Sequence, residues 1–174
     1  VELVPEGELT PRMWRMKVGD RISIRPRAKG LFTMDQRVHH HFQVSTVTGI
    51  APTISMLRNC LLEGGQGHMF YVLLGASYQD ELTYDKELAD LAAKHPQLIE
   101  FVPTVSRPNE ERNAGWRGAK GRVNAIVEEY LDKFNPPQDD TMIYACGHPG
   151  MIEDVKARIT PKGWMFKEER FWKQ

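Results

Sequence analysis

The pattern of hydrophobic and polar positions changes at about residue 35. Before that point, short apolar segments are separated by polar turns rich in Pro and Gly. Arg21–Pro26 alternates polar and apolar residues, which is typical of a half-buried strand. Two or three strands of this length cannot bury a core by themselves. We therefore expect residues 1–35 to be the end of a β domain whose beginning is missing from the sequence.

From residue 36 onward, predicted strands and helices alternate. Met69–Leu74 is a continuous apolar run, typical of a parallel strand buried on both faces. The other predicted strands are His41–Val44, Leu98–Val105, Thr141–Cys146 and Trp164–Phe171, and the helices begin near Pro52, Asp80, Val123 and Met151. This alternation predicts an α/β fold with a five-stranded doubly wound parallel sheet over residues 36–174.

The stretch Val44–Pro52 is the centre of this pattern. It combines a strand, a turn with the single glycine Gly49, and a helix start at Pro52. A helix N-terminus offers free backbone N–H groups and a partial positive charge, which suit a phosphate. In a doubly wound sheet, such a turn lies at the carboxyl end of a strand, where ligands bind. An ordinary strand-to-helix turn has the same pattern, so the stretch needs support from elsewhere in the chain.

The composition narrows the classes of partner. The 23 basic and 23 acidic side chains balance, which argues against nucleic acid or an anionic membrane as a bulk electrostatic partner. No apolar run reaches the length of a membrane span. Cys60 and Cys146 are far apart and lack metal-ligand spacing, so we expect a reducing cytoplasm. Cys60 lies on an apolar helix face and is predicted to be a core residue.

Three consecutive histidines, His39 to His41, precede the first predicted strand. Neighbouring residues of a strand point to opposite faces, so these imidazoles are not expected to converge on one metal ion. We interpret them as the beginning of the strand and predict no metal site.

Four segments together resemble the ferredoxin–NADP reductase family, in particular its bacterial ferredoxin/flavodoxin reductases. Thr48–Pro52 resembles the family's nicotinamide-side turn, and Cys146–Met151 resembles its Cys-Gly-x-Pro-x-Met loop. Glu169–Trp172 is similar to its aromatic C-terminus, and Gly7–Arg12 to the end of its flavin-binding barrel. The segments occur in the family's order, and the resemblance covers the whole chain.

The resemblance implies an FAD enzyme that passes electrons between NADPH and ferredoxin or flavodoxin, through hydride transfer between nicotinamide and flavin N5. It makes residues 1–35 the last strands of an antiparallel FAD-binding β-barrel and residues 36–174 the NAD(P)-binding domain. The barrel's Arg-x-Tyr-Ser flavin motif is absent from the sequence. The chain is therefore expected to be a fragment that does not hold FAD well as it stands.

The resemblance also implies three residues at the reacting centre. Cys146 would lie beside the nicotinamide ring, Phe171 would stack on the flavin, and Glu169 would be a carboxylate near the flavin that relays protons. Trp172 would reach towards the adenine end of FAD. No base neighbours Cys146, so covalent catalysis is not indicated. The alternatives are a buried structural thiol, aromatic packing of the last strand, and a solvated Glu169.

Further residues are implied as cofactor contacts. The nicotinamide-side contacts would come from Thr48, Gly49, Ile50, Ala51, Pro52, Gly147 and Met151. Here Val47 stands where the family usually has Gly, so the local turn is expected to differ. In the first segment, Thr10 would contact the FAD pyrophosphate, with Arg12 nearby. A capping or turn threonine is the alternative for Thr10.

The 2′-phosphate of NADP is expected after the third strand, at Ser106 and Arg107. A guanidinium group forms bidentate bonds to phosphate. Positive charge nearby would come from Arg117, Lys120 and Arg122, whose alternative is a solvated loop. The family often carries Arg where this chain has Ser77, so NADP over NAD is a preference only.

Two other functions stay open on the sequence. One is an NADH-using relative, such as the reductase component of an oxygenase. The other is a flavin-free nucleotide-binding module with a sensing or regulatory role. It stays open because the first part of the flavin-binding barrel is absent from the sequence. Bound FAD separates the enzymes from the module, and selectivity for the 2′-phosphate separates the two enzymes.

Overall fold

A computed structural model of the chain describes residues 3–27, 30–65 and 67–170. The chain divides into two compact units, Val1–Leu31 and Phe32–Gln174. The second unit contains a six-stranded sheet in which every neighbouring pair of strands is parallel. The predicted α/β doubly wound sheet is confirmed.

The strands are β1 (His40–Thr46), β2 (Met69–Ala76), β3 (Ile99–Val105), β4 (Ala119–Lys120), β5 (Thr141–Cys146) and β6 (Met165–Glu169), and the helices are α1 (Leu9–Trp14), α2 (Ala51–Leu62), α3 (Asp85–Lys94), α4 (Val127–Phe134) and α5 (Pro149–Ile159). The strand order is β4-β3-β2-β1-β5-β6. No helix of the described ranges is long and apolar enough to cross a bilayer.

Two hydrophobic layers cover the faces of the sheet. On one face, Phe70, Val72 and Leu74 pack with residues of α2 and α3. On the other face, Leu73 and Ile143 pack with residues of α4 and α5. Because successive side chains of a strand alternate between faces, a strand covered on both sides must be apolar throughout, as β2 is. Cys60 lies in the first layer, which confirms its predicted place in the core.

The sheet has six strands, so the predicted number of five was wrong by one edge strand. β4 pairs with the end of β3 through Thr104↔Ala119 and Val105↔Lys120. The indole N–H of Trp116 donates to the Ala119 carbonyl oxygen at 2.8 Å and folds the preceding loop against this edge. Two residues are too few to produce an alternating pattern, which is why the sequence reads this segment as loop.

The first unit lacks the strand predicted over Arg21–Pro26. Its described residues, 3–27 and 30–31, contain one short helix, α1, and no strand. A strand is stabilised by ladder hydrogen bonds to a neighbour, and this part of the unit offers no neighbouring strand. The assignment of residues 1–35 to a flavin-binding barrel stays a prediction.

Two helices begin later than predicted. α3 starts at Asp85 instead of Asp80, because Gln79–Glu81 forms a 3₁₀ turn and Tyr84 takes a left-handed conformation with φ 60°. α4 starts at Val127 after a second 3₁₀ turn. Both irregular stretches follow the carboxyl ends of strands, where contacts with other loops determine the backbone.

The segment before β1 is fixed to the sheet by a buried carboxylate. Asp35 is 4% exposed and pairs with Arg37 at 2.7 Å and with Lys167 of β6 at 3.0 Å. Its backbone N–H donates to the Tyr144 hydroxyl at 2.8 Å, and Phe32 meets the Tyr144 ring edge to face. The hydrogen bonds from Arg37, together with Lys167, outweigh burial and hold the pKa of Asp35 well below its usual range.

The three consecutive histidines make different hydrogen bonds, although the rings of His39 and His41 both pack against His68. His39 contacts Asp140, and His40 contacts the Tyr71 hydroxyl at 3.1 Å. His41 is fully buried, and its Nε2 lies 3.1 Å from Nδ1 of His68. Burial, followed by the proximity of His68 and His40, lowers the pKa of His41 to about 4.

His41 makes the stability of the fold depend on pH. Its folded-state pKa is below the ordinary value of about 6.5, so the unfolded chain takes up a proton first as the pH falls. The neutral imidazole's full contribution is present above that ordinary pKa and is lost progressively towards pH 4. We expect the free energy of unfolding to fall by about 2 kcal/mol between pH 7 and pH 5 because of this residue.

Urea unfolding at the two pH values measures this loss. His41→Gln should remove most of it, whereas the control His95→Gln should retain it. Equal pH dependence in the wild type and in His41→Gln would contradict the assignment.

Candidate functional site

The strand order reverses between β1 and β5. The strands β2, β3 and β4 extend to one side of β1, and β6 lies beyond β5 on the other. At the carboxyl ends of these two central strands lie the turn Val47–Ile50 and the loop that follows Cys146. A crevice at such a switch point is where doubly wound sheets bind ligands. The structure therefore brings together two of the segments singled out in the sequence.

Gly49 lies directly against the backbone of the second loop. A Cβ atom added at Gly49 would overlap the Cys146 carbonyl oxygen and lie 2.6 Å from its carbonyl carbon and 2.7 Å from the Gly147 Cα. Since all of these atoms belong to the backbone, no side-chain rotation relieves the overlap. Glycine at this position is therefore required for the two turns to meet.

Gly147 makes the reciprocal contact with Thr46. Its φ of 132° favours glycine, and an added Cβ would overlap the Thr46 hydroxyl and lie 3.0 Å from the Thr46 backbone nitrogen. The Thr46 hydroxyl in turn accepts a hydrogen bond from the His148 backbone N–H at 2.8 Å. Sequence reasoning missed Thr46, although a hydroxyl at the carboxyl end of a central strand is a signal that could have found it.

Two helices begin beside this contact. α2 follows the turn with Pro52 in its first positions, and α5 starts at Pro149. The His148 Nδ1 atom accepts a hydrogen bond from the Gly150 N–H at 3.1 Å and caps α5. The positive ends of two helix dipoles therefore lie beside the crevice, which suits an anion.

The predicted contacts of these two turns lie at different depths. Thr48 is half-buried and Ala51 is exposed, so both are accessible at the crevice. Ile50 is fully buried, and Met151 packs in the layer of α4 and α5. These two apolar side chains anchor the turns in the two hydrophobic layers of the core.

Val47 is a strained position in the first turn. Its φ is 45°, in the left-handed region that a β-branched residue rarely adopts. The hydroxyl of Thr83 donates to its carbonyl oxygen at 3.0 Å, and its side chain packs on the core. The conformation costs about 1–2 kcal/mol. The sequence predicted that the turn would differ at Val47. The turn keeps a backbone conformation that suits glycine, and the difference is the strain that Val47 adds.

Cys146 is a buried neutral thiol. It is 1% exposed, and the register of β5 and β6 pairs it with Glu169. Burial, with a smaller effect of the Glu169 charge, raises the pKa of Cys146 to about 12. A buried thiol with a raised pKa is disfavoured as a nucleophile, in line with the absence of a neighbouring base. Phe171 and Trp172, the two aromatic residues predicted to contact flavin, lie outside the described residues.

A second cluster lies where the loops after β2 and β3 meet. Asn113 is 1% exposed, and its side-chain amide donates to the carbonyl oxygens of Ser77 at 3.0 Å and Arg107 at 2.9 Å. Its side-chain oxygen accepts from the Gln79 N–H at 2.7 Å. One amide thus joins the two loops. Sequence reasoning missed it, because an Asn that follows three charged residues gives no signal of burial.

Arg107 belongs to a chain of polar contacts at the end of β3. Its Nη1 donates to the Tyr78 hydroxyl at 2.9 Å, and that hydroxyl donates to Glu110 Oε2 at 2.5 Å. The guanidinium group of Arg112 lies over the Tyr78 ring, 4.1 Å from its centroid. The Ser106 backbone N–H donates to the Ala76 carbonyl oxygen at 2.9 Å, which aligns this loop with the end of β2.

The other predicted residues are more dispersed. β4 places Lys120 beside Val105, next to the Ser106 loop, while Arg117 and Arg122 lie on exposed loops. In the first unit, the Thr10 hydroxyl accepts from the Val4 N–H at 2.9 Å and also contacts the Val4 carbonyl oxygen. Thr10 thus lies in α1 and bonds to the segment before it, and its predicted contact with FAD stays a prediction.

A cavity of about 440 Å³ lies at the opposite end of the sheet, near the start of β2 and β3. Its lining includes His68, His95 and Leu98. It shares no residue with the switch point. Among the described residues, no group of three or more His, Cys, Asp or Glu side chains is placed to hold a metal ion.

Comparison with known proteins gives a family and several relatives. The family described as "Oxidoreductase NAD-binding domain" matches residues 44–157, which include both turns of the switch point. NADH-cytochrome b5 reductase 1 of Candida glabrata is 25% identical over 165 residues, which are 94% of this chain and 56% of that protein. Ferredoxin–NADP reductase root isozyme 1 of Arabidopsis thaliana is 32% identical over 153 residues, 82% of this chain and 39% of that protein.

Solved structures show the same fold. A ferredoxin NADP+ reductase from Neisseria gonorrhoeae with bound FAD and NADP superposes with a TM-score of 0.75 at 21% identity, over 95% of this chain and 71% of that one. The CS-b5R domains of human Ncb5or superpose with a TM-score of 0.78 at 21% identity, over 97% of this chain and 47% of that one. The chain spans between about two fifths and three fifths of the length of the curated relatives described above.

The role of Asn113 can be tested by substitution. Asn113→Ala removes three hydrogen bonds and leaves the Ser77 carbonyl oxygen and the Gln79 N–H without this partner, so the free energy of unfolding should fall by about 2–3 kcal/mol. Asn109→Ala, four residues earlier on the exposed part of the same loop, should change it by less than about 0.5 kcal/mol. Urea unfolding measures both values, and similar losses for the two variants would contradict the role given to Asn113.

Proposed function

Because the chain belongs to the oxidoreductase NAD-binding domain family, we propose that it is the pyridine-nucleotide-binding part of an FAD-dependent reductase. In this proposal the whole protein transfers electrons between NADPH and ferredoxin or flavodoxin. The observation that carries it is the contact of Gly49 with the Cys146–Gly147 backbone at the switch point. The two turns in contact there are the ones that resemble the reductase motifs.

The nucleotide pyrophosphate would lie at the first turns of α2 and α5. The positive ends of both helices lie beside the close contact of the two turns, which Gly49 and Gly147 allow because they carry no side chain. Thr48 is accessible beside them and would contact the nicotinamide ribose. Ile50 and Met151 would support these contacts from the core.

The adenosine end would lie at the loops after β2 and β3. Arg107 is half-exposed and carries a planar set of donors that suits a phosphate. Ser106 precedes it, and Lys120 stands on the adjacent strand. This arrangement supports NADPH as the nucleotide, with Arg107 as the residue that binds its 2′-phosphate.

The reacting centre would be formed around Cys146. When bound, FAD supplies the N5 atom that exchanges a hydride with the nicotinamide. The neutral, polarisable Cys146 thiol would pack beside the nicotinamide ring without reacting with it. The Glu169 carboxylate, paired with Cys146 in register, would exchange protons with the site. Phe171, Trp172 and Thr10 complete the proposal as flavin contacts.

The first unit offers a feature that suits an acidic electron carrier. Between residues 12 and 27 it has six basic side chains against the single acidic residue Asp20, and all of them are exposed. The six are Arg12, Arg15, Lys17, Arg21, Arg25 and Arg27. Such a segment attracts a partner with a negative face and accelerates its association at low ionic strength.

The cytochrome b5 reductase relatives support a second candidate. In this alternative the protein uses NADH and reduces a haem protein such as cytochrome b5. An oxygenase reductase component and a flavin-free regulatory module are the remaining alternatives. The two buried free thiols, Cys60 and Cys146, support a location in the reducing cytoplasm.

An absorbance spectrum of the full-length protein tests the proposal. A flavin absorbance band at about 450 nm should bleach when NADPH is added without oxygen. Reoxidation by ferredoxin or flavodoxin faster than by cytochrome b5 would support the first candidate, and the reverse order would support the second. A protein that takes up no flavin even when FAD is supplied would contradict both.

Arg107→Ala tests the nucleotide assignment in the chain itself. The variant should bind NADP+ at least about tenfold more weakly, because the 2′-phosphate loses a pair of charge-assisted hydrogen bonds from the guanidinium group. Its affinity for NAD+, which has no 2′-phosphate, should be almost unchanged. Arg107→Lys should give an intermediate loss, since it retains the charge but not the fork. Calorimetric titration measures the affinities, with Arg58→Ala on α2 as the control. Equal losses for both nucleotides would contradict the assignment.

A further inference from the structure

The Glu110 carboxylate already interacts with the two groups that would bind a phosphate. The Tyr78 hydroxyl donates to its Oε2 at 2.5 Å, and Arg107 Nη1 lies 3.5 Å from its Oε1. The same Arg107 nitrogen donates to the Tyr78 hydroxyl at 2.9 Å. An arginine and a phenol therefore converge on an anion that belongs to the chain.

We propose that Glu110 determines how strongly this chain distinguishes NADPH from NADH, by competing with the 2′-phosphate for Tyr78 and Arg107. The inference rests on the proposed function, since it concerns the adenosine end of the same nucleotide. A 2′-phosphate must displace the carboxylate and remain close to its negative charge. The 2′-hydroxyl of NADH can instead donate a hydrogen bond to that carboxylate.

The surrounding charges strengthen the competition. Arg112, the other cation at Tyr78, is paired with Asp80 at 2.9 Å and with Glu81 at 3.2 Å. The cluster thus contains two guanidinium groups and, with Glu110, three carboxylates. Its net charge is negative, so a phosphate entering it meets repulsion that an uncharged ribose does not.

The backbone keeps Glu110 in this place. Its N–H donates to the Arg107 carbonyl oxygen at 3.2 Å, and its own carbonyl oxygen accepts from the Asn113 N–H at 2.9 Å. The turn is thereby joined to the buried amide that connects the two loops. The Glu110 side chain is 51% exposed, so a ligand can reach it and substitution does not disturb the core.

Calorimetric titration of the full chain with 2′,5′-ADP and with 5′-AMP isolates this effect without flavin or catalysis. Glu110→Gln retains the size of the side chain and removes its charge. We expect its affinity for 2′,5′-ADP to rise about five- to tenfold, the effect of one unit charge removed a few ångströms from a phosphate near the surface. The affinity for 5′-AMP should change less than about twofold, and added salt should diminish the gain.

Glu111→Gln removes the neighbouring exposed charge and is the matched control; its two affinities should stay close to those of the wild type. An unchanged ratio of the two affinities in Glu110→Gln would overturn the inference, as would an equal gain for both ligands or the same shift in ratio in Glu111→Gln. Such results would leave the proposed function standing. If neither ligand bound to the wild type or to either variant, the proposed function would fail, and the inference with it.

Discussion

The contact between two glycine-containing turns at the centre of the sheet is the constraint on which the site depends. Gly49 touches the backbone at the end of β5, and Gly147 touches Thr46, the last residue of β1. The Thr46 hydroxyl adds a hydrogen bond between the same two segments. Because the contacts run in both directions, neither turn can move without the other. The starts of α2 and α5 are therefore held at a fixed separation, as a ligand bridging them requires.

In the proposed function, a second pair of loops, beyond β2 and β3, would add selectivity to the binding site. The buried side chain of Asn113 joins them through three hydrogen bonds, and the same loops carry two arginines and three carboxylates that pair with one another. Neutral contacts at the switch point suit any dinucleotide, whereas the charged loops respond to a single phosphate group.

The sequence predicted the parts of the fold that local pattern determines. β2 and β5 are buried on both faces, and strands of this kind are recognised in a sequence by their apolar composition. The bounds of β5 are the predicted ones. The turn at Gly49 was found because strand, glycine and helix start stand next to one another. Its partner at Gly147 was found by resemblance, since the two glycines lie 98 positions apart in the sequence (147 minus 49).

Features determined by contacts between distant segments were missed. Asn113 and Thr46 have partners that no local pattern reveals, and β4 is too short to show periodicity. The strand predicted over Arg21–Pro26 failed for the opposite reason. Its pattern is that of a strand, but strand formation depends on a neighbour that the described part of its unit does not contain.

The proposed function depends on the binding of a pyridine nucleotide in the crevice between β1 and β5. Titration of the isotopically labelled chain with NADP+, followed by amide chemical shifts, tests it most directly. We expect the largest changes in chemical shift at the backbone amides of Gly49, Gly147 and Gly150, and further changes at Arg107. Shifts confined to the opposite end of the sheet, at His68 and His95, or no shifts at millimolar nucleotide, would contradict it.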